Sequence, residues 1–169
     1  TWQEQVSLLP QSGSSSGYVI YSAYGEGNKP RILGSKQENS SSDWVNTGTN
    51  LWRNADPYFV NSQGGVGNII FNNEAIIGHK VYSSGDLDTQ GKFYYDLSNQ
   101  HLTLYSTTNP ASYYSDIKCA LGKDAVRLWS GQDYVIIESL EFAYWGAHGI
   151  SAGGGNSNII MRDCSFKYI

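Results

Sequence analysis

The 169 residues, 40% of them hydrophobic, suffice for one ordinary domain with a sizeable core. A net charge of −4 with scattered Lys and Arg leaves no basic stripe, and no apolar run reaches membrane-spanning length, so neither nucleic acid nor a membrane is expected as a partner. Gly, Ser, Asn and Tyr are abundant, and nowhere do apolar residues hold a helical spacing for three turns, which points to an all-β chain rich in turns.

In chain order, Tyr18 to Tyr24 (YVIYSAY) and Arg31 to Leu33 read as short strands. Ser35 to Thr49 is polar and Ser-rich, and is expected to be a flexible surface loop. It contains the glycosylation sequon Asn39-Ser40-Ser41. Asn68 to Phe71 and Ala75 to Ile77 read as further strands. Asp86 and Asp88, two residues apart on an extended segment, place two carboxylates on one side, which makes calcium the cofactor the sequence leaves open. Solvated turn carboxylates are the weightier reading there, and for Asp116, Asp124 and Asp133, since no calcium-loop motif accompanies them. Lys92 to Tyr95 and Leu102 to Tyr105 flank a short polar link and predict an antiparallel hairpin that projects from the rest. Cys119 and Cys164 match no zinc spacing and read as small buried hydrophobes.

From Asp124 the chain repeats itself after about 24 residues: DAVRLWSGQDYVIIESLEFAYW is echoed by HGISAGGGNSNIIMRDCSFKYI. Val126 falls on Ile150, Val135 on Ile159, Phe142 on Phe166 and Tyr144 on Tyr168. Each repeat holds three short alternating stretches, Val126 to Leu128, Val135 to Ile137 and Leu140 to Phe142, with a corner at Glu138-Ser139. Alternation sends Val126 and Leu128 to one side and Arg127 and Trp129 to the other. Three strands per period and no helix predict a parallel β-helix. A leucine-rich repeat has a similar period, but the return AYWGAHG is too short and Gly-rich for its helix. The expected fold is one all-β domain over 1–169, a single solenoid with irregular coils at 1–123, regular coils at 124–169 and the projecting hairpin.

The succession YSAYGEGNKPRILGS, LWRNADPYFV, GVGNIIFNN, GKFYYDLSNQHLTLYSTTNPA and YVIIESLEFAYWGAHGI resembles the N-terminal half of secreted right-handed parallel β-helix proteins of the pectate-lyase-like superfamily. Its most specific elements are the stretch Tyr24 to Ser35 and FYYD at Phe93 to Asp96. Relatives of this kind precede their first strand with a Gly-Asp-Thr-Trp phrase, of which Thr1-Trp2 remains, and continue for further coils. The resemblance therefore implies a fragment whose partners include the remainder of a longer chain, or another coil stack, at its open ends. It also implies an extracellular polysaccharide as partner, and a composition rich in Tyr, Trp, Gly, Ser and Asn and low in charge points to a secreted or cell-surface location.

In such proteins the site lies on an outward face of stacked strands. No motif of the family marks a catalytic residue here, so the candidates come from that face. β-Elimination of a uronic-acid polymer needs a base for the proton α to the carboxylate and a cation for the charge that develops. Arg127 is the candidate cation and His148 or Lys123 the base; Trp129, Tyr144 and Trp145 are the candidate sugar-stacking residues. Each also has an ordinary structural reading, as solvated arginine, turn histidine or packing aromatic. Glu138 and Glu141 are the carboxyl pair that glycoside hydrolysis would need. Gly153-Gly154-Gly155 lacks the Lys-Ser/Thr of a phosphate loop and reads as a turn. Two functions stay open: a carbohydrate-active enzyme, polysaccharide lyase or glycoside hydrolase, and a non-catalytic carbohydrate-binding or assembly module.

Overall fold

The computed structural model describes residues 7–54 and 65–169. Thr1-Trp2 and the 55–60 part of LWRNADPYFV, both used in the resemblance above, lie outside them. The chain forms two compact units, one from 1–34 with 123–169 and the other from 35–122. No helix among the described residues is long and apolar enough to cross a membrane.

The first unit is built from the repeat. Strands β1 (Val19–Tyr21) and β2 (Arg31–Leu33) join β12 (Val126–Leu128), β13 (Asp133–Glu138), β14 (Glu141–Ala143), β15 (Ile150–Ala152), β16 (Ser157–Arg162) and β17 (Ser165–Lys167). They form three parallel sheets, β1-β13-β16, β12-β15 and β2-β14-β17. The sequence period is the register itself: Val126 pairs with Ile150, Val135 with Ile159 and Phe142 with Phe166. Leu8 bridges Val126, Val19 pairs with Val135 and Ile32 with Phe142, so Leu8, β1 and β2 lie on the other edge of the same strands. The inward residues Val126, Val135, Ile137, Phe142 and Trp145 are fully buried in one cluster. The corners at Ser139 and Asp163 take positive φ (57° and 51°), a backbone state that turns the chain sharply between strands.

The second unit is different. Strands β4 (Trp44–Gly48), β5 (Leu51–Asn54), β8 (His79–Val81), β9 (Lys92–Asp96) and β10 (His101–Tyr105) make a five-stranded sheet, ordered β4-β5-β10-β9-β8. Strands β3 (Ser35–Gln37), β6 (Val66–Phe71), β7 (Ile76–Ile77) and β11 (Ile117–Leu121) make a four-stranded sheet, ordered β3-β11-β6-β7. Every pairing is antiparallel except β8 with β9. Phe93, Leu102 and Leu104 from one sheet and Val66, Ile69, Phe71, Ile117, Cys119 and Leu121 from the other share a core, with Tyr114 stacked on Phe71 at 3.9 Å.

These observations correct the expected architecture. The chain is not a single right-handed parallel β-helix from 1 to 169: its described strands divide among five separate sheets, and those of Ser35–Gly122 are antiparallel or mixed. Short polar links drive this, because they return a strand beside its predecessor in the opposite direction. The predicted hairpin pairs as β9 with β10, but it does not project, since β5 and β8 flank it within the sheet. The stretch expected as a loop, Ser35 to Thr49, instead contains β3, a capped 3₁₀ turn at Ser41–Asp43 and β4.

Candidate functional site

In the first unit, β12 carries Arg127 outward between Val126 and Leu128, which are buried. The Arg127 amide donates to the Leu8 carbonyl at 2.9 Å, and Ser151 lies beside Arg127 in register. Just past the strand, the Trp129 amide donates to Gln132 Oε1 at 2.8 Å. Gln132 is itself buried, and its side-chain amide donates to the Pro10 carbonyl, so the corner carrying Trp129 is pinned. The indole remains 52% exposed, with the Arg127 guanidinium carbon 4.4 Å from its ring centroid. A cation over an aromatic face at an exposed site contributes about 0.5–1 kcal/mol. The contact lays a charged hydrogen-bonding fork over one face of the aromatic ring.

One period apart, Asp124 and His148 meet: Nδ1 of His148 lies 2.9 Å from Asp124 Oδ1. The His148 side chain is 72% exposed and that of Asp124 is 14% exposed. With the proton on Nδ1 donated to the carboxylate, Nε2 is left as a hydrogen-bond acceptor or base. Lys123 precedes this pair and is half-buried, its carbonyl accepting from the Ala147 amide at 3.3 Å.

Two predicted stacking residues are placed elsewhere. Trp145 is fully buried, its Nε1 donating to the Ile32 carbonyl at 3.2 Å. Tyr144 is 2% exposed; its ring stacks on Tyr168 and its hydroxyl accepts from Arg31 Nη2 at 3.3 Å. Both serve packing rather than a binding surface. Glu138 is held by Arg162 at 2.6 Å, while Glu141 is held by Arg31 and by Lys167 at 2.8 Å. Facing cations rather than each other, these glutamates do not form an acid–base pair. The Asp86 and Asp88 segment contains a 3₁₀ turn, Ser84–Asp86, and Asp88 pairs with Lys92 at 2.7 Å. Among the described residues no three His, Cys, Asp or Glu side chains group to hold a metal ion.

A further feature of this unit was not anticipated. Nine residues lie between Tyr21 and Arg31, against three between Ile137 and Glu141 and three between Met161 and Ser165, although these positions pair in register. The six extra residues loop over the corner formed by Ser139 and Asp163. They border an open cleft of about 390 Å³ lined by residues 23–30, Ser139 and Asp163. Lys29 Nζ lies 2.6 Å from Asp163 Oδ1, and the Ser139 hydroxyl donates to Asp163 Oδ2 at 3.1 Å. Lys29 and Ser139 hold the Asp163 carboxyl below the ordinary carboxylate range. The signal was present in sequence as the extra length of YGEGNKP relative to the repeat.

No family model matches the chain, and no curated protein does. The chain is similar to a solved structure, the complex of XylC with xylose, at 13% identity and a TM-score of 0.55. The match covers 95% of this chain and 35% of that one, so this chain spans about a third of the protein it matches. At that identity the likeness shows the fold alone. These findings correct the resemblance to the pectate-lyase-like superfamily: no family model supports it, the matching structure is XylC, and separate, partly antiparallel sheets replace the single coil stack it implied.

Proposed function

We propose that this chain binds carbohydrate, with Trp129 and Arg127 as the contact face. The observation that carries the proposal is the half-exposed Trp129 on its pinned backbone corner, with a guanidinium 4.4 Å from its ring centroid. An aromatic plane accepts the apolar C–H face of a sugar ring, and the guanidinium fork donates to hydroxyls or to a carboxylate at the ring edge. The fold-level match to a protein solved with xylose supports a saccharide ligand over a peptide or nucleotide. An extracellular polysaccharide remains the proposed partner, which makes a secreted or cell-surface location part of the same proposal.

The Asp124–His148 pair favours a second reading, polysaccharide β-elimination. His148 Nε2, or the Lys123 amine, would take the proton α to a uronate carboxylate while Arg127 stabilises the charge. The C–O bond to the leaving sugar then breaks, that oxygen takes a proton, and an unsaturated sugar remains. Calorimetric titration with xylo-oligosaccharides and polygalacturonate, run beside an absorbance assay for unsaturated product, tests both readings. Trp129→Ala is expected to weaken binding at least about tenfold. Binding without product retires the lyase reading. A lyase rate unchanged in Arg127→Ala and His148→Ala removes those residues from it, and no binding to any of these saccharides overturns the proposal.

A further inference from the structure

We infer that the cleft beneath the Ala23–Pro30 loop is a second saccharide site, selective for a neutral sugar. The inference rests on the carbohydrate reading above and adds a different place and a different ligand class. Its volume, about 390 Å³, falls at the lower end of the range of roughly 300–1,000 Å³ typical of small-molecule sites. That size suits one or two sugar rings better than a polymer segment.

The lining has the composition a polyol requires. Tyr24 is among the lining residues, with its side chain fully exposed to solvent beside the cleft. Lys29, Ser139 and Asp163 form one hydrogen-bonded cluster in the wall. Each Asp163 oxygen already accepts one hydrogen bond, from Lys29 or from Ser139, and an ionised carboxylate has about four acceptor sites, so two are left for sugar hydroxyls. The ammonium and the hydroxyl fix the carboxylate in place before a ligand arrives, which lowers the ordering cost of binding. Glu26 adds a second carboxylate to the same wall.

Charge decides the class of ligand. Two carboxylates against one ammonium give the cleft a net charge of about −1, which disfavours a uronate, a phosphate or a sulfated sugar. The Arg127 face carries the opposite bias. A polymer with neutral and acidic units would therefore meet two sites of different preference on one unit.

The backbone path of the loop itself calls for glycine. Gly25 and Gly27 adopt φ of 80° and 124°, left-handed states that favour glycine, and neither would bring a Cβ within 4 Å of another group. A side chain at either position would be strained by its backbone rather than by crowding.

The test uses the full chain, with D-xylose as the neutral probe and galacturonic acid as the acidic one, followed by amide chemical-shift mapping. Xylose is expected to shift Gly25, Gly27, Ser139 and Asp163. Asp163→Asn should weaken that response at least about tenfold, whereas Trp129→Ala should leave it unchanged. Galacturonic acid should leave these amides in place. Xylose shifts confined to the Trp129 face would overturn the cleft site and leave carbohydrate binding standing; no shifts with any saccharide would overturn both. Should Asp163→Asn disturb the fold, shift mapping on the unaltered chain decides alone, and Lys29→Ala, at a partly exposed loop position, repeats the comparison.

Discussion

Glu141 and Glu38 are both buried carboxylates, and their surroundings drive them in opposite directions. Although burial opposes it, Lys167 and Arg31 hold the Glu141 carboxyl below its ordinary value of 4.5. A carboxyl depressed in the fold contributes stability that is present above 4.5 and is lost as pH falls through the lower folded value. Glu38, 1% exposed, accepts from Asn54 Nδ2 at 2.9 Å and has Lys36 Nζ at 3.7 Å, yet burial pushes its carboxyl above 4.5. Its contribution has the other sign: it is present below 4.5 and lost as pH rises through the raised folded value. Glu141→Gln is therefore expected to cost about 2 kcal/mol at neutral pH and to flatten the loss of stability on the acid side of 4.5. Glu38→Gln should cost less than about 1 kcal/mol at neutral pH, or stabilise, and flatten the decline above 4.5. Denaturant midpoints measured from pH 3 to pH 8 separate the two, and equal slopes in both variants would contradict these assignments.

At the scale of elements, the regular alternation of the repeat was readable until the backbone left the extended region. Val126, Val135 and Phe142 turn inward as the strand rule requires, and their partners one period later follow in register. Past Ala143 the rule lapses, because Tyr144 adopts φ of 59° and the chain turns. That is why Tyr144 and Trp145 look like surface aromatics in sequence and are buried in the fold. The packing around Trp145 gives a sharp prediction. Gly34 ends the β2 segment with its amide donating to the Ala143 carbonyl at 3.0 Å, and a Cβ there would lie 2.3 Å from the Trp145 ring. Gly34→Ala is expected to destabilise the first unit by about 1–3 kcal/mol through overpacking. The shift in unfolding midpoint, with the change in Trp emission, checks it, and an unchanged midpoint would mean the ring has room to move. The cleft loop was legible only as surplus length. Its partner Asp163 is 134 residues from Lys29, too distant for any local motif to join them.

For the whole molecule, strand content and the period after Asp124 were legible, but strand direction in the middle of the chain was not. A run such as Val66–Phe71 reads the same in a parallel or an antiparallel ladder. What decides between them is a partner far away in sequence, as when Lys36 pairs with Cys119 and Ile69 pairs with Cys119 from the other side. The same pairings yield a prediction about the second unit. Ser35 and Ala120 are paired neighbours on β3 and β11, so this unit begins and ends side by side. Among the described residues its core, from Trp44 to Leu121, draws on this unit's own side chains, and adjacent termini are the arrangement that tolerates insertion and excision. A polypeptide of 35–122 is expected to fold alone and to unfold cooperatively in denaturant. In it, Leu104→Ala should cost about 2–5 kcal/mol by opening a cavity among Phe93, Ile117 and Leu121. Near-ultraviolet circular dichroism and hydrogen exchange on the isolated polypeptide check this. Absence of a cooperative transition would show that its antiparallel sheets need the rest of the chain to persist.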